Sequence, residues 1–157
     1  MAKPFPEVRR PLDLKAPVFD AAAVARADDA LQAMSGQFQE WLEEEVSKLQ
    51  TARLAAQAAG WRPTALEPIV AVAHDLKGLG GTYDFPLVTQ IAASLCRLLE
   101  TDAGKAAASA DPALVAGHVD ALRAALRDGI KADTHPVGRA LLKALEARGE
   151  TLGVAPA

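Results

Sequence analysis

A single cysteine, Cys96, occurs in 157 residues, which excludes an intrachain disulfide and any cysteine-based zinc cluster. On an apolar helix face it reads as a small buried hydrophobe. Aromatic residues are only 4% of the chain, and alternating runs of valine, isoleucine and threonine are missing, so strands lack their usual material. No apolar stretch approaches the roughly 20 residues that a membrane helix needs, and Met1-Ala2-Lys3-Pro4-Phe5-Pro6 has no apolar signal core. These absences predict a cytoplasmic protein with no membrane contact. Basic charge is not collected either: the formal net charge is -3 and the lysines and arginines are scattered, which argues against nucleic acid as a partner.

Chemical signatures are also scarce. There is no Gly-x-Ser-x-Gly elbow and no Walker-type phosphate loop, so an autonomous kinase is not expected. No glutamate has a histidine three residues on, and no two histidines sit at helical spacing, so neither a metal nor a cofactor is expected on this chain. His118 lies mid-helix beside core positions and His135 precedes a proline at a helix start; both read as structural or solvated.

What remains is a chain half apolar by count, rich in alanine and leucine, and long enough for one cored domain. The prediction is an all-α fold, an antiparallel four-helix bundle with N- and C-terminal appendages. Prolines 4, 6, 11 and 17 mark residues 1–19 as an extended arm. Residues 20–149 form the bundle domain, with its core at 20–130 and an accessory helix at 136–148, and 150–157 form a tail. Asp20 caps a first helix to Ala59 that carries Leu31, Met34, Phe38, Leu42, Val46 and Leu49 inward, with a break possible at Ser35-Gly36. Trp41 and Trp61 read as core or seam residues, and Glu43-Glu44-Glu45 as a solvated face.

After a turn at Gly60-Trp61-Arg62-Pro63, Thr64-Ala65-Leu66-Glu67 fits a capping box, although Pro68 favours a slightly later start. That helix runs to Gly81 or Tyr83, and Asp84 can cap the next, whose inward face is Val88, Ile91, Ala92, Leu95, Leu98 and Leu99. Residues 104–110 read as a low-complexity link. Asp111-Pro112 opens a helix to about Gly129, and a last helix follows Thr134-His135-Pro136.

The most informative pattern is His74-Asp75-Leu76-Lys77-Gly78-Leu79-Gly80-Gly81. At about 100° per residue, Lys77, Gly78 and Gly81 fall near -60°, +40° and -20° of His74, while Ile69, Val72, Leu76, Leu79 and Tyr83 gather on the opposite side. The imidazole is therefore expected to face solvent, and Asp75 points away from its stripe. Each glycine costs roughly 0.8–1 kcal/mol against alanine inside a helix, so something must offset that cost. Clearance for an approaching macromolecule does so; a left-handed cap at Gly80-Gly81 is the competing reading. Imidazole is substantially neutral near pH 7 and is then a competent nucleophile. Lys77, one turn on, can neutralise charge on a phosphoryl group.

These residues resemble a known signature. His74-x-x-Lys77-Gly78 followed by Gly81, with the helix after it and the helical pattern from about residue 20 to 130, is similar to the histidine-containing phosphotransfer domains, the HPt family. The resemblance implies a four-helix bundle whose exposed histidine accepts a phosphoryl group from an aspartyl phosphate on a response-regulator receiver domain and passes it on. It implies His74 as the acceptor, Lys77 as its electrostatic partner, Gly78 and Gly81 as clearance, and Val70 as an apolar docking contact on the same stripe. It further implies hybrid histidine kinases and receivers as partners, magnesium carried by the receiver, and a carrier without kinase activity of its own. Two departures stand out. Many members have glycine where this chain has Asp84, and many place a glutamine on the next helix near the imidazole, for which Gln90 is a candidate although ungapped counting points to Cys96. The alternative reading is a helical adaptor that binds receivers or kinases without being phosphorylated. A chain that reads as complete from Met1 disfavours a detached module of a larger kinase.

Overall fold

The computed structural model describes residues 20–151, and among them the chain forms six α-helices, one 3-10 turn and no strand. The helices are α1 (Ala21–Ala58), α2 (Glu67–Thr82), α3 (Pro86–Leu99), α4 (Asp102–Ala110), α5 (Pro112–Arg127) and α6 (Pro136–Thr151), and the 3-10 turn spans Pro63–Leu66. No helix among the described residues is long and apolar enough to cross a membrane.

Contacts divide the chain into two units, before and after the Met34–Ser35 bond. In the first, Asp20 accepts a hydrogen bond from the Ala22 N–H at 2.9 Å and so satisfies one of the orphan donors at the start of α1. Leu31 and Met34, expected inward, are 63% and 46% exposed. Periodicity identifies the apolar side of a helix but not whether anything covers it. The break proposed at Ser35-Gly36 is absent, because α1 is one helix of 38 residues.

From Ser35 onward, α1, α2, α3 and α5 share one core. It includes Leu42, Val46 and Leu49 from α1, Ile69 and Leu76 from α2, Ile91, Leu95 and Leu98 from α3, and Val115, Leu122 and Leu126 from α5. Full burial of each such side chain stabilises by about 1.5–3 kcal/mol before entropy is charged against it. Polar links fix the arrangement. Gln39 Nε2 donates to the Leu126 carbonyl at 2.8 Å, Arg53 Nη1 meets Asp120 at 2.8 Å, and the Ser94 hydroxyl lies 2.9 Å from His118 Nε2 in the core. Helix α6 packs on α5 and α3 through Leu141, Leu142 and Leu145, and its N-terminus is capped when the Val137 N–H donates to His135 Nδ1 at 3.2 Å.

Three helices end in the same way. At the ends of α1, α2 and α5, Trp61, Phe85 and Ile130 donate back to Ala56, Gly80 and Ala125, while Gly60, Asp84 and Gly129 donate to Gln57, Gly81 and Leu126. This double closure is the Schellman motif, which needs a left-handed residue at its penultimate position. Gly60 and Gly129 supply it at φ 72° and 64°; at the end of α2 the residue is Asp84, at φ 60°. Asp84 is therefore not the cap expected for α3, whose N-cap position is Phe85 with Pro86 next.

Two further expectations change. Thr64 to Glu67 make no capping box: Pro63–Leu66 form the 3-10 turn and α2 opens at Glu67, with Pro68 in the first turn, where its missing N–H costs nothing. Residues 104–110 are not a link but most of α4, capped where Thr101 Oγ1 accepts from the Gly104 N–H at 3.0 Å. Ala108 is fully buried, and a Cβ at Gly104 would sit 1.8 Å from the Leu98 carbonyl oxygen. Tight packing accounts for the small residues at Gly104 and Ala108, the two buried positions of α4.

Candidate phosphoacceptor face

Helix α2 buries Ile69, Ala73, Leu76 and Gly80, a 3–4 spacing that locks one side of the helix to the core. The opposite side is then fixed by geometry. His74, Lys77, Gly78 and Gly81 are all exposed and follow one another along it. Asp75 is exposed as well. Val70, on the same stripe one turn earlier, is half-buried and packs against the core, so only part of it is available to a partner.

The glycines separate into two kinds. A Cβ at Gly78 would meet nothing within 4 Å, and one at Gly81 would approach only Thr89 Oγ1, at 3.9 Å. Neither has a left-handed backbone, so the cap reading fails for Gly81 and space beside His74 is what the two share. Gly80 is different. A Cβ there would lie 2.4 Å from Thr89 Oγ1, 2.7 Å from the Thr89 backbone nitrogen and 3.0 Å from the Phe85 carbonyl oxygen. Its absence lets the start of α3 close onto the end of α2, and Thr89 Oγ1 uses that proximity to donate to the Lys77 carbonyl at 3.0 Å.

The α3 residue beside the stripe is thus Thr89. Gln90, one position on, turns about 100° further round α3 and is half-buried. Cys96 lies two turns beyond Thr89 on nearly the same side and is half-buried; burial pushes its thiol up from the usual range, and the positive charge of Lys77 pulls the other way. Sequence reasoning passed over Thr89 and considered Gly80 only as part of a possible helix cap. The signal was present in Gly80, which sits at about 240° from His74, at the margin of the apolar face rather than on the exposed stripe.

The end of α2 is braced from α1. Phe38 stacks on Tyr83 at 4.9 Å between ring centroids, and Trp41 lies 5.5 Å from Tyr83. Trp41 is a seam residue with an exposed edge, and Trp61 packs half-buried against the core. The other two histidines are structural. His118 is buried, its Nδ1–H donating to the Leu114 carbonyl at 2.7 Å, and His135 is the exposed cap of α6. Among the described residues no group of three His, Cys, Asp or Glu side chains is placed to hold a metal ion.

The arrangement is a solvent-facing imidazole with a cation one turn away and bare backbone around it. Chemically, an exposed imidazole of this kind is accessible from solvent. Neither a curated protein nor a solved structure matches the chain. The family model of the Hpt domain matches residues 33–132, which covers α2 and α3 whole and most of the bundle. The chain belongs to the Hpt domain family, whose members carry phosphoryl groups in phosphorelays.

Proposed function

We propose that this protein relays a phosphoryl group between aspartyl-phosphate receiver domains in a multistep two-component phosphorelay in the cytoplasm, with His74 as the acceptor. The observation that carries the reading is the exposure of His74, Lys77, Gly78 and Gly81 along one side of α2, with open space where a Cβ at Gly78 would lie. In the forward step the unprotonated ring nitrogen of His74 attacks phosphorus as the bond from phosphorus to the aspartate oxygen breaks. The electron pair of that bond returns to the aspartate carboxylate. The ring keeps the proton on its other nitrogen and releases it to water afterwards, and the return step runs in reverse.

Lys77 offsets the phosphoryl charge without competing for the group, and Gly78 and Gly81 let the partner bring its aspartate into line. The receiver contributes the phosphorylated aspartate and its magnesium ion; the present chain contributes the placed nucleophile and no kinase activity. The test is transfer from a phosphorylated receiver domain to the wild-type protein and to His74→Gln. The wild type becomes labelled and the variant does not. Label retained by the variant, or tight receiver binding with no labelling of either protein, contradicts the reading, and the second outcome identifies an adaptor.

A further inference from the structure

We infer that Thr89 is a positioning residue for phosphoryl transfer: its side chain fixes the turn of α2 that presents Lys77 and Gly78 beside His74. The inference rests on the phosphoacceptor reading of His74 and extends it to a residue on the neighbouring helix.

Three observations meet at this point. Thr89 Oγ1 donates to the Lys77 carbonyl at 3.0 Å, although that carbonyl belongs to the interior of α2. A helical carbonyl has two lone pairs, so the hydroxyl adds a bond from α3 to the helix instead of replacing one within it. Gly80 admits the contact, since any Cβ would lie 2.4 Å from the same hydroxyl and 2.7 Å from the Thr89 backbone nitrogen. The turn after α2 turns back through Asp84 in a left-handed conformation, and the Phe85 N–H donates to the Gly80 carbonyl at 2.7 Å. The last turns of α2 are therefore tied to α3 by the Thr89 bond at Lys77, on the stripe, and to the connecting turn by the Phe85 bond at Gly80.

The consequence is kinetic. In-line transfer between two proteins is sensitive to errors of about 1 Å in the placement of reacting groups. Among the described residues His74 and Lys77 are both exposed, so their placement depends on the backbone of α2 and on how that helix is attached to its neighbours. A pin on the Lys77 carbonyl acts on the backbone that carries the cation, one turn from the imidazole. A threonine used only for packing would be replaced by valine with little effect on the chemistry.

The experiment compares wild type, Thr89→Val, Thr89→Ser and Gly80→Ala as acceptors from a phosphorylated receiver, with kcat and KM resolved and folding followed by thermal denaturation. Thr89→Val keeps the shape and removes the donor. Its kcat is expected to fall roughly 3- to 10-fold, the rate equivalent of one hydrogen bond, with KM changed less than about 2-fold. Thr89→Ser, which keeps the hydroxyl, is expected to restore the rate, and Gly80→Ala, whose Cβ must displace the Thr89 backbone together with the hydroxyl, to lose at least as much where it folds. Wild-type kcat in Thr89→Val, or an equal loss in Thr89→Ser, overturns the inference. If Thr89→Val does not fold, Thr89→Ala, which also removes the donor, is compared with Thr89→Ser and decides in the same way. His74→Gln run in parallel separates the two claims: persistent labelling there removes the phosphoacceptor reading itself, whereas labelling confined to His74 with no effect of Thr89 removes only the pin.

Discussion

Replacing Gly78 by alanine should make the protein more stable and less active. Gly78 lies in the interior of α2, is exposed, and a Cβ built there meets no atom within 4 Å. The substitution therefore carries no steric cost within the chain and recovers the helix propensity that glycine forfeits, about 0.8–1 kcal/mol. For a domain of this size the denaturation midpoint should rise by about 2–6 °C. The same methyl group projects from the stripe that holds His74 and Lys77, where the proposed function has a receiver dock against bare backbone. Forcing a methyl into a fitted contact costs about 1–3 kcal/mol, or roughly 5- to 150-fold in kcat/KM for transfer. Thermal denaturation by circular dichroism gives the first quantity, and a transfer time course at several concentrations gives the second. A variant that is more stable and still transfers like the wild type would remove the clearance argument. A variant that is less stable would contradict the open geometry around Gly78.

Two further outcomes follow from features away from the stripe. Asp84→Gly should raise stability by about 1 kcal/mol, because Asp84 holds a left-handed backbone that glycine adopts without strain; an unchanged or lower denaturation midpoint would refute this. His118 should make stability depend on acid. Its burial, opposed in part by the Leu114 carbonyl, pushes its pKa below the ordinary 6.5, so the folded state favours the neutral ring more than the unfolded state does. The resulting stability is complete above pH 6.5 and declines as the pH falls below it towards the depressed folded value. Urea midpoints measured from pH 7.5 to 5 should fall more steeply for the wild type than for His118→Gln, and parallel curves would show that His118 is not the group responsible.

The parts of this structure legible in the sequence are those set by periodicity. The side of α2 that faces solvent, the inward face of α3, and the helix starts at Pro112 and Pro136 all follow from local spacing and proline placement. Contacts between segments distant along the chain were not legible. Nothing local marks Thr89 as the residue that reaches Lys77, because the contact depends on how closely two helices approach. Alanine-rich α4 looked like a link because the tight space around Gly104 and Ala108, which selects small residues, exists only in the folded state. Leu31 and Met34 show the converse, an apolar helix face whose exposure no spacing rule reveals. Asp84 carried a partial signal, since the family's frequent glycine at that position is explained by the positive φ that the structure shows there.

The central claim is that the imidazole of His74 is the group that accepts phosphate. Mass spectrometry at neutral or alkaline pH, after incubation with a phosphorylated receiver, tests it most directly by locating the bound phosphoryl group. The account predicts a single acid-labile phosphoryl group on His74, absent from His74→Gln and returned when an unphosphorylated receiver is added. An acid-stable phosphoryl group, or one located on any other residue, would contradict it.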